Sequence, residues 1–198
     1  MRTRKTLNLA APLLRTLVPI VMAPALQVGL GQGSIQGPFG LQYGMTKAQA
    51  IQIVGGQAVK ENKGDSLILT TAPRPHPAFE EYLLIFSPEN GLLKIAAFGR
   101  DISTNGFGSE VRDAFAEIRD ALDKTYGAGE IHNFLESGSI WNEDRDWMAG
   151  LLKKERVLTA YWDVALKGAV PSKLPNHITA MALTANALST DKGYLRLA

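Results

Sequence analysis

Apolar and polar residues follow two periods along this chain, and the switches between them mark its elements. Residues 47–54 read as a short helix. Ala48, Ile51 and Val54 recur at three-residue spacing, Thr46 is placed to cap the first turn, and Gly55-Gly56 ends the run in the left-handed conformation that glycine tolerates. Strands are expected over 66–71, 82–86 and 92–98. Pro73, Pro75 and Pro77 cut off the first, and Asn90-Gly91 supplies turn chemistry between the other two. The strongest helix pattern runs over 109–126, with Val111, Ala114, Phe115, Ile118, Ala121, Leu122 and Tyr126 on one face. Glu110, Asp113, Glu117, Asp120 and Lys124 lie mostly off that face, and Gly127 closes the helix. A weaker helix is expected over 141–155, with Asn142 as its cap and Gly150 inside it. Strands then follow at 157–164, 178–188 and 194–197, the last two joined by a turn at Thr190-Asp191-Lys192-Gly193.

Helices that precede runs of antiparallel strands imply an α+β fold, an antiparallel sheet with helices packed on one face. The order of elements suggests a finer arrangement, two α-βββ units in tandem. The expected domain is 39–198, with 39–105 and 106–198 as its halves if the units are distinct.

The N-terminal region departs from both periods. Arg2, Arg4 and Lys5 precede apolar runs at 7–14 and 17–30, and no acidic residue occurs before Glu61. A cationic head before an apolar run is the build of a secretory signal, and Ala23-Pro24-Ala25 places small residues at a cleavage-site spacing. Residues 1–25 are therefore expected to be a signal peptide and 26–38 a flexible linker. A retained N-terminal anchor is the alternative, although Arg15 splits the apolar region below the ~20 residues that span a bilayer. Export to the periplasm or the medium is the expected localisation.

The leader also distorts the charge balance. Its four cations (Arg2, Arg4, Lys5, Arg15), taken from the chain's 21, leave 17 against 19 acids, so the +2 of the whole chain becomes about −2 for the body. That removes the basic surface a nucleic-acid partner would require; Lys153-Lys154 with Arg156 is interrupted by Glu155. With no cysteine, disulfides, thiolate nucleophiles and Cys-ligated metals are excluded.

Candidate chemistry is sparse. His76, His132 and His177 lack any second ligand at metal spacing, no GxSxG or HExxH occurs, and the one SxxK, Ser189-Thr190-Asp191-Lys192, runs through the expected hairpin turn. No cofactor is expected. The densest polar-aromatic cluster comprises Trp141, Glu143, Asp144, Asp146 and Trp147, with Trp162 as a further wall. One reading makes the tryptophans a ligand platform and the acids a cation or sugar site of the kind glycoside chemistry uses. The other makes the tryptophans anchors of a short helix and the acids favourable charges at its positive end. Gly99, Gly106 and Gly108 either present amides to an anion at the start of the long helix or simply allow a sharp turn.

Phe39 to Val54, a Gly-Met-Thr turn opening an amphipathic helix after a leader, resembles the opening of SmpA/OmlA-like and β-lactamase-inhibitor-like envelope proteins. That resemblance implies helices on an antiparallel sheet and function by protein binding. The chain lacks the lipidated cysteine and the disulfides of those proteins. The stretches 82–99, 139–148 and 174–195 also resemble a family of bacterial secreted proteins without an assigned activity. The functional expectation is an exported binding module for a protein or envelope component, without nucleic acid, touching the membrane only if the leader is retained. The alternatives are a small extracytoplasmic hydrolase using the acids near Trp141 and Trp147, and a membrane-tethered accessory subunit of a larger complex.

Overall fold

The computed structural model of the chain describes residues 37–163, 173–175 and 178–198. The expected signal peptide, the linker up to residue 36, Val164 and His177 lie outside them. The described residues fall in one compact unit.

Helix α1 (Lys47–Val54) opens on a capping box. The Gln49 N–H donates to Thr46 Oγ1 at 3.2 Å, and Gln49 Oε1 accepts from the Thr46 N–H at 2.8 Å, so two amides left free by the helix start are satisfied. Strands β1 (Val59–Lys63), β2 (Ser66–Leu69), β3 (Phe79–Ser87) and β4 (Gly91–Gly99) follow as a meander. After a short strand β5 (Ile102–Ser103) comes α2 (Ser109–Tyr126), with the boundaries its periodicity predicts. The chain continues through β6 (Glu130–Leu135), α3 (Trp147–Leu152), β7 (Arg156–Asp163), β8 (Ala180–Ser189) and β9 (Lys192–Leu197).

Among the described residues these strands make one antiparallel sheet of nine, ordered β1-β2-β3-β4-β9-β8-β7-β6, with β5 beside β9. Two meanders therefore meet at β4 and β9, in the register Ala97↔Leu197 and Phe98↔Arg196. The fold is α+β, as the element order implies. One face of the sheet carries an apolar row: Tyr82, Ala97, Leu197, Leu183 and Ala160 are each almost wholly buried across five strands. Ala50 of α1, Val111 and Phe115 of α2, and Trp147, Met148 and Leu151 of α3 join the same buried cluster.

Two expectations are corrected. The helix expected over 141–155 shrinks to a 3-10 turn at Asp144–Asp146 followed by α3, and Asn142 does not cap it. The Arg145 carbonyl lies so close to Gly106 that a Cβ there would approach it to 2.3 Å, and the Met148 N–H donates to the Gly106 carbonyl at 2.9 Å. The segment is held by another loop before the helix can begin. Downstream, Lys154 adopts φ +61° and stops it. In addition, β1, β5 and β6 add to the expected strands, so each half of the sheet is a meander of four rather than three.

Candidate functional site

The residues picked out around Trp141 do not converge on one pocket. Trp147 is 5 % exposed, its ring packed on Gly108, where a Cβ would stand 2.2 Å from the indole, and beneath the Arg112 guanidinium at 5.8 Å. Trp162 is 1 % exposed and donates its Nε1–H to the Gly127 carbonyl at 2.8 Å and to Asp123 Oδ1 at 3.1 Å. Gly108 and Gly127 flank opposite ends of α2, so the two indoles pack at opposite ends of a helix about 27 Å long at ~1.5 Å per residue. Trp141 is half-buried, its Cβ near Gly150. Glu143 and Asp144 are exposed, Glu143 paired with Arg145 Nε at 2.8 Å, and Asp146 is half-buried. Burial of Trp147 and Trp162 makes them part of the core, one at each end of α2. Among the described residues no group of three or more His, Asp or Glu side chains could hold a metal ion.

The glycine-rich connection before α2 is explained by close approach. Gly108 has φ +67° and carries Trp147 on its Cα, and Gly106 admits the Arg145 carbonyl. Thr104 Oγ1 donates to the Glu110 carboxylate in the first turn of α2, a bond that lowers the Glu110 pKa below the usual glutamate value. Negative charge at this helix start is thus supplied from within the chain. His76 Nδ1 accepts from the Ala78 N–H at 3.2 Å and its ring lies against Phe79, which fixes the loop between Pro75 and Pro77.

The feature that the sequence pattern did not single out is the other face of the sheet. The three helices share a core with one face, and alternation along the strands puts a different set of side chains on the second. Observed pairing aligns Glu81, Phe98, Arg196, Thr184, Thr159 and His132 in a row across β3, β4, β9, β8, β7 and β6. Tyr161 stands beside this row, 39 % exposed, with the His132 ring edge-on to it at 5.1 Å, and Phe98 and Tyr194 adjoin at 6.5 Å. Thr159 is buried at 3 % among these neighbours, its hydroxyl 3.4 Å from that of Thr184.

Two hollows reach this face. One, of about 400 Å³, is lined by Lys94, Tyr161, Thr184 and Arg196 together with Ile95 and Met181 from the core side of β4 and β8. The second, of about 260 Å³, is lined by Val157, Thr159, Asn186 and again Tyr161, Thr184 and Arg196. Tyr161, Thr184 and Arg196 form the ridge between them. Lys94 and Arg196 make no salt bridge with any described residue. The surface combines aromatic edges, two cations without a salt bridge to any described residue, and hydroxyls on a framework of adjacent strands. Compared with protein-family profiles, curated proteins and solved structures, the chain matches none.

Proposed function

We propose that the chain is an exported binding module and that it meets a protein or envelope partner through the sheet face opposite the described helices. The observation that carries this reading is the ridge of Tyr161, Thr184 and Arg196 between two shallow hollows, built from three adjacent strands. Aromatic and arginine side chains dominate the energetics of protein interfaces, and neither the Tyr161 hydroxyl nor the Arg196 guanidinium bonds to another described residue. Unpaired Lys94 and Arg196 favour a partner that presents carboxylates. Export rests on the cationic and apolar leader; the two meanders joined at β4 and β9 fit a helix-plus-sheet unit used twice, which widens one continuous face. The paired Glu143 and the buried tryptophans give the hydrolase reading no support from geometry.

The test is capture of partners from envelope extract by the wild-type protein and by Tyr161→Ala and Arg196→Glu. Both changes lie on an exposed face and leave the melting temperature unchanged within the range of surface substitutions, about ±0.5 kcal/mol. Loss of a captured protein with these variants, and its retention with Glu143→Gln, is the expected result. Capture indifferent to both face variants refutes the assignment. A hydrolytic activity that Glu143→Gln or Asp146→Asn lowers by about 10² or more would put the enzyme reading in its place. N-terminal sequencing of the exported protein should return a start between Leu26 and Ser34, and recovery of Met1 or Arg2 would refute cleavage.

A further inference from the structure

The two edges of the sheet are built differently. β1 carries Lys60, Glu61 and Lys63 within five residues and breaks register with β2 between Val59 and Glu61. Charges and a bulge are the devices that keep a strand edge from pairing with another chain. β6 has neither. It contains no lysine, arginine or proline, and it holds unbroken register with β7 from Glu130↔Tyr161 to Leu135↔Arg156. Ile131 and Phe134 on it are 45 % and 44 % exposed.

The direction of its free backbone groups follows from one bond. The Glu136 N–H donates to the Glu155 carbonyl at 2.7 Å, toward the β7 side. Alternation then turns Phe134, His132 and Glu130 toward β7 and leaves the N–H and C=O of Ile131, Asn133 and Leu135 aimed out of the sheet. Side chains alternate as well. Ile131 faces the helix side, where it borders a groove of about 540 Å³ with Phe115 and Arg119 of α2, and Leu135 lies on the same side near Gly150. His132 and Phe134 lie on the helix-free side.

We infer that β6 is a homodimer interface, pairing antiparallel with β6 of a second copy about a two-fold axis through Asn133. In that register Ile131 stands opposite the partner's Leu135 on the helix side and His132 opposite the partner's Phe134 on the other. Apolar thus meets apolar and ring meets ring, the cross-strand pairs that stabilise a sheet. The outward groups of Ile131, Asn133 and Leu135 all fall in hydrogen-bonded pairs, giving about six backbone bonds, two for each of three facing pairs. Moving the axis to His132 would set Ile131 against Asn133 and Glu130 against Phe134, losing the apolar and the ring pairs, whereas the Asn133 axis keeps both and sets like charges, Glu130 and the partner's Glu136, opposite each other only at the ends of the ladder. An isologous contact of this kind closes after two subunits, and it joins the two sheets edge to edge.

The experiment is sedimentation equilibrium of the protein purified from expressing cells, at a series of concentrations. A concentration-dependent dimer is expected. Ile131→Lys places a charge on the edge and should shift the protein to monomer, as should Asn133→Pro, which deletes only an outward-facing donor; circular dichroism reports whether each variant keeps the fold. Register is read by disulfide formation in this otherwise cysteine-free chain. Asn133→Cys faces its own copy at a Cα separation of about 5.5 Å, within the ~4.4–6.8 Å a disulfide spans. His132→Cys lies diagonally from its copy at about 7–8 Å, and should remain reduced. Protein that stays monomeric up to about 0.1 mM, where even a micromolar pairing would be populated, overturns the inference. So does a dimer unaffected by Ile131→Lys, or one that crosslinks through His132→Cys and not through Asn133→Cys.

Discussion

Phe115 offers the sharpest test of how α2 is held to the sheet. Its side chain is 3 % exposed and lies in the same buried cluster as Leu158 and Val111. A buried phenylalanine removes about 150–250 Å² from water, which at ~25 cal/mol per Å² corresponds to about 4–6 kcal/mol as an upper bound. Truncation to alanine in protein cores costs about 3–5 kcal/mol, the spread reflecting how well the site relaxes. Two features push Phe115→Ala toward the lower end. The groove beside β6 is lined by Phe115, so the space left behind opens into it instead of forming a sealed void. Alanine also favours the helix by about 0.5 kcal/mol over phenylalanine. The expected loss is about 3 kcal/mol, a fall of about 6–12 °C in Tm for a domain of this size. Urea unfolding followed by tryptophan fluorescence reports it directly, because Trp147 and Trp162 are buried at the two ends of α2. The slope of free energy against urea should match wild type. A loss under about 1 kcal/mol would mean that the Val111–Phe115 face does not carry the packing assigned to it.

Trp162→Phe keeps most of the apolar volume and removes the donor to Gly127 and Asp123, so it should cost about 1–3 kcal/mol, the desolvation penalty of acceptors left unpaired, by the same urea assay. Gly108→Ala should destabilise more than Gly64→Ala. Both have positive φ and incur the ~1 kcal/mol left-handed penalty, but a Cβ at Gly108 meets the Trp147 ring whereas none of the neighbours of Gly64 lies within 4 Å. Equal melting temperatures for the two variants would refute the close packing at Gly108. Thr104→Ala should raise the Glu110 pKa toward the ordinary glutamate value, as read by NMR titration. Because the folded pKa is depressed, the stabilisation from this carboxylate is present above the unfolded glutamate range and is lost as pH falls through the folded value. The variant should therefore lose part of the acid-side slope of stability, and an unchanged titration would show the Thr104 bond to be without effect.

Local chemistry along the chain was enough to determine α1, α2 and the hairpins at 87–91 and 189–192. A capping threonine with Gln49, a glycine stop, a seven-residue apolar stripe and an Asn-Gly turn each act over a few residues and need no distant partner. The class of fold followed from their order. Tertiary structure alone decided the rest. Strands β1 and β6 lie at the sheet edges, exposed on most positions, so they carry no buried alternation to read, and only pairing with β2 and β7 reveals them. The 141–155 segment has helical periodicity, yet Gly106 and Arg145, 39 residues apart in sequence, fix its first part in another shape. Trp147 and Trp162 look like neighbours in composition and end at opposite ends of one helix. The row from Glu81 to His132 takes one residue from each of six strands, and no window of sequence contains it. A surface of that kind is legible only once β4 and β9 have met, because strand pairing between the two meanders sets which side chains share a face.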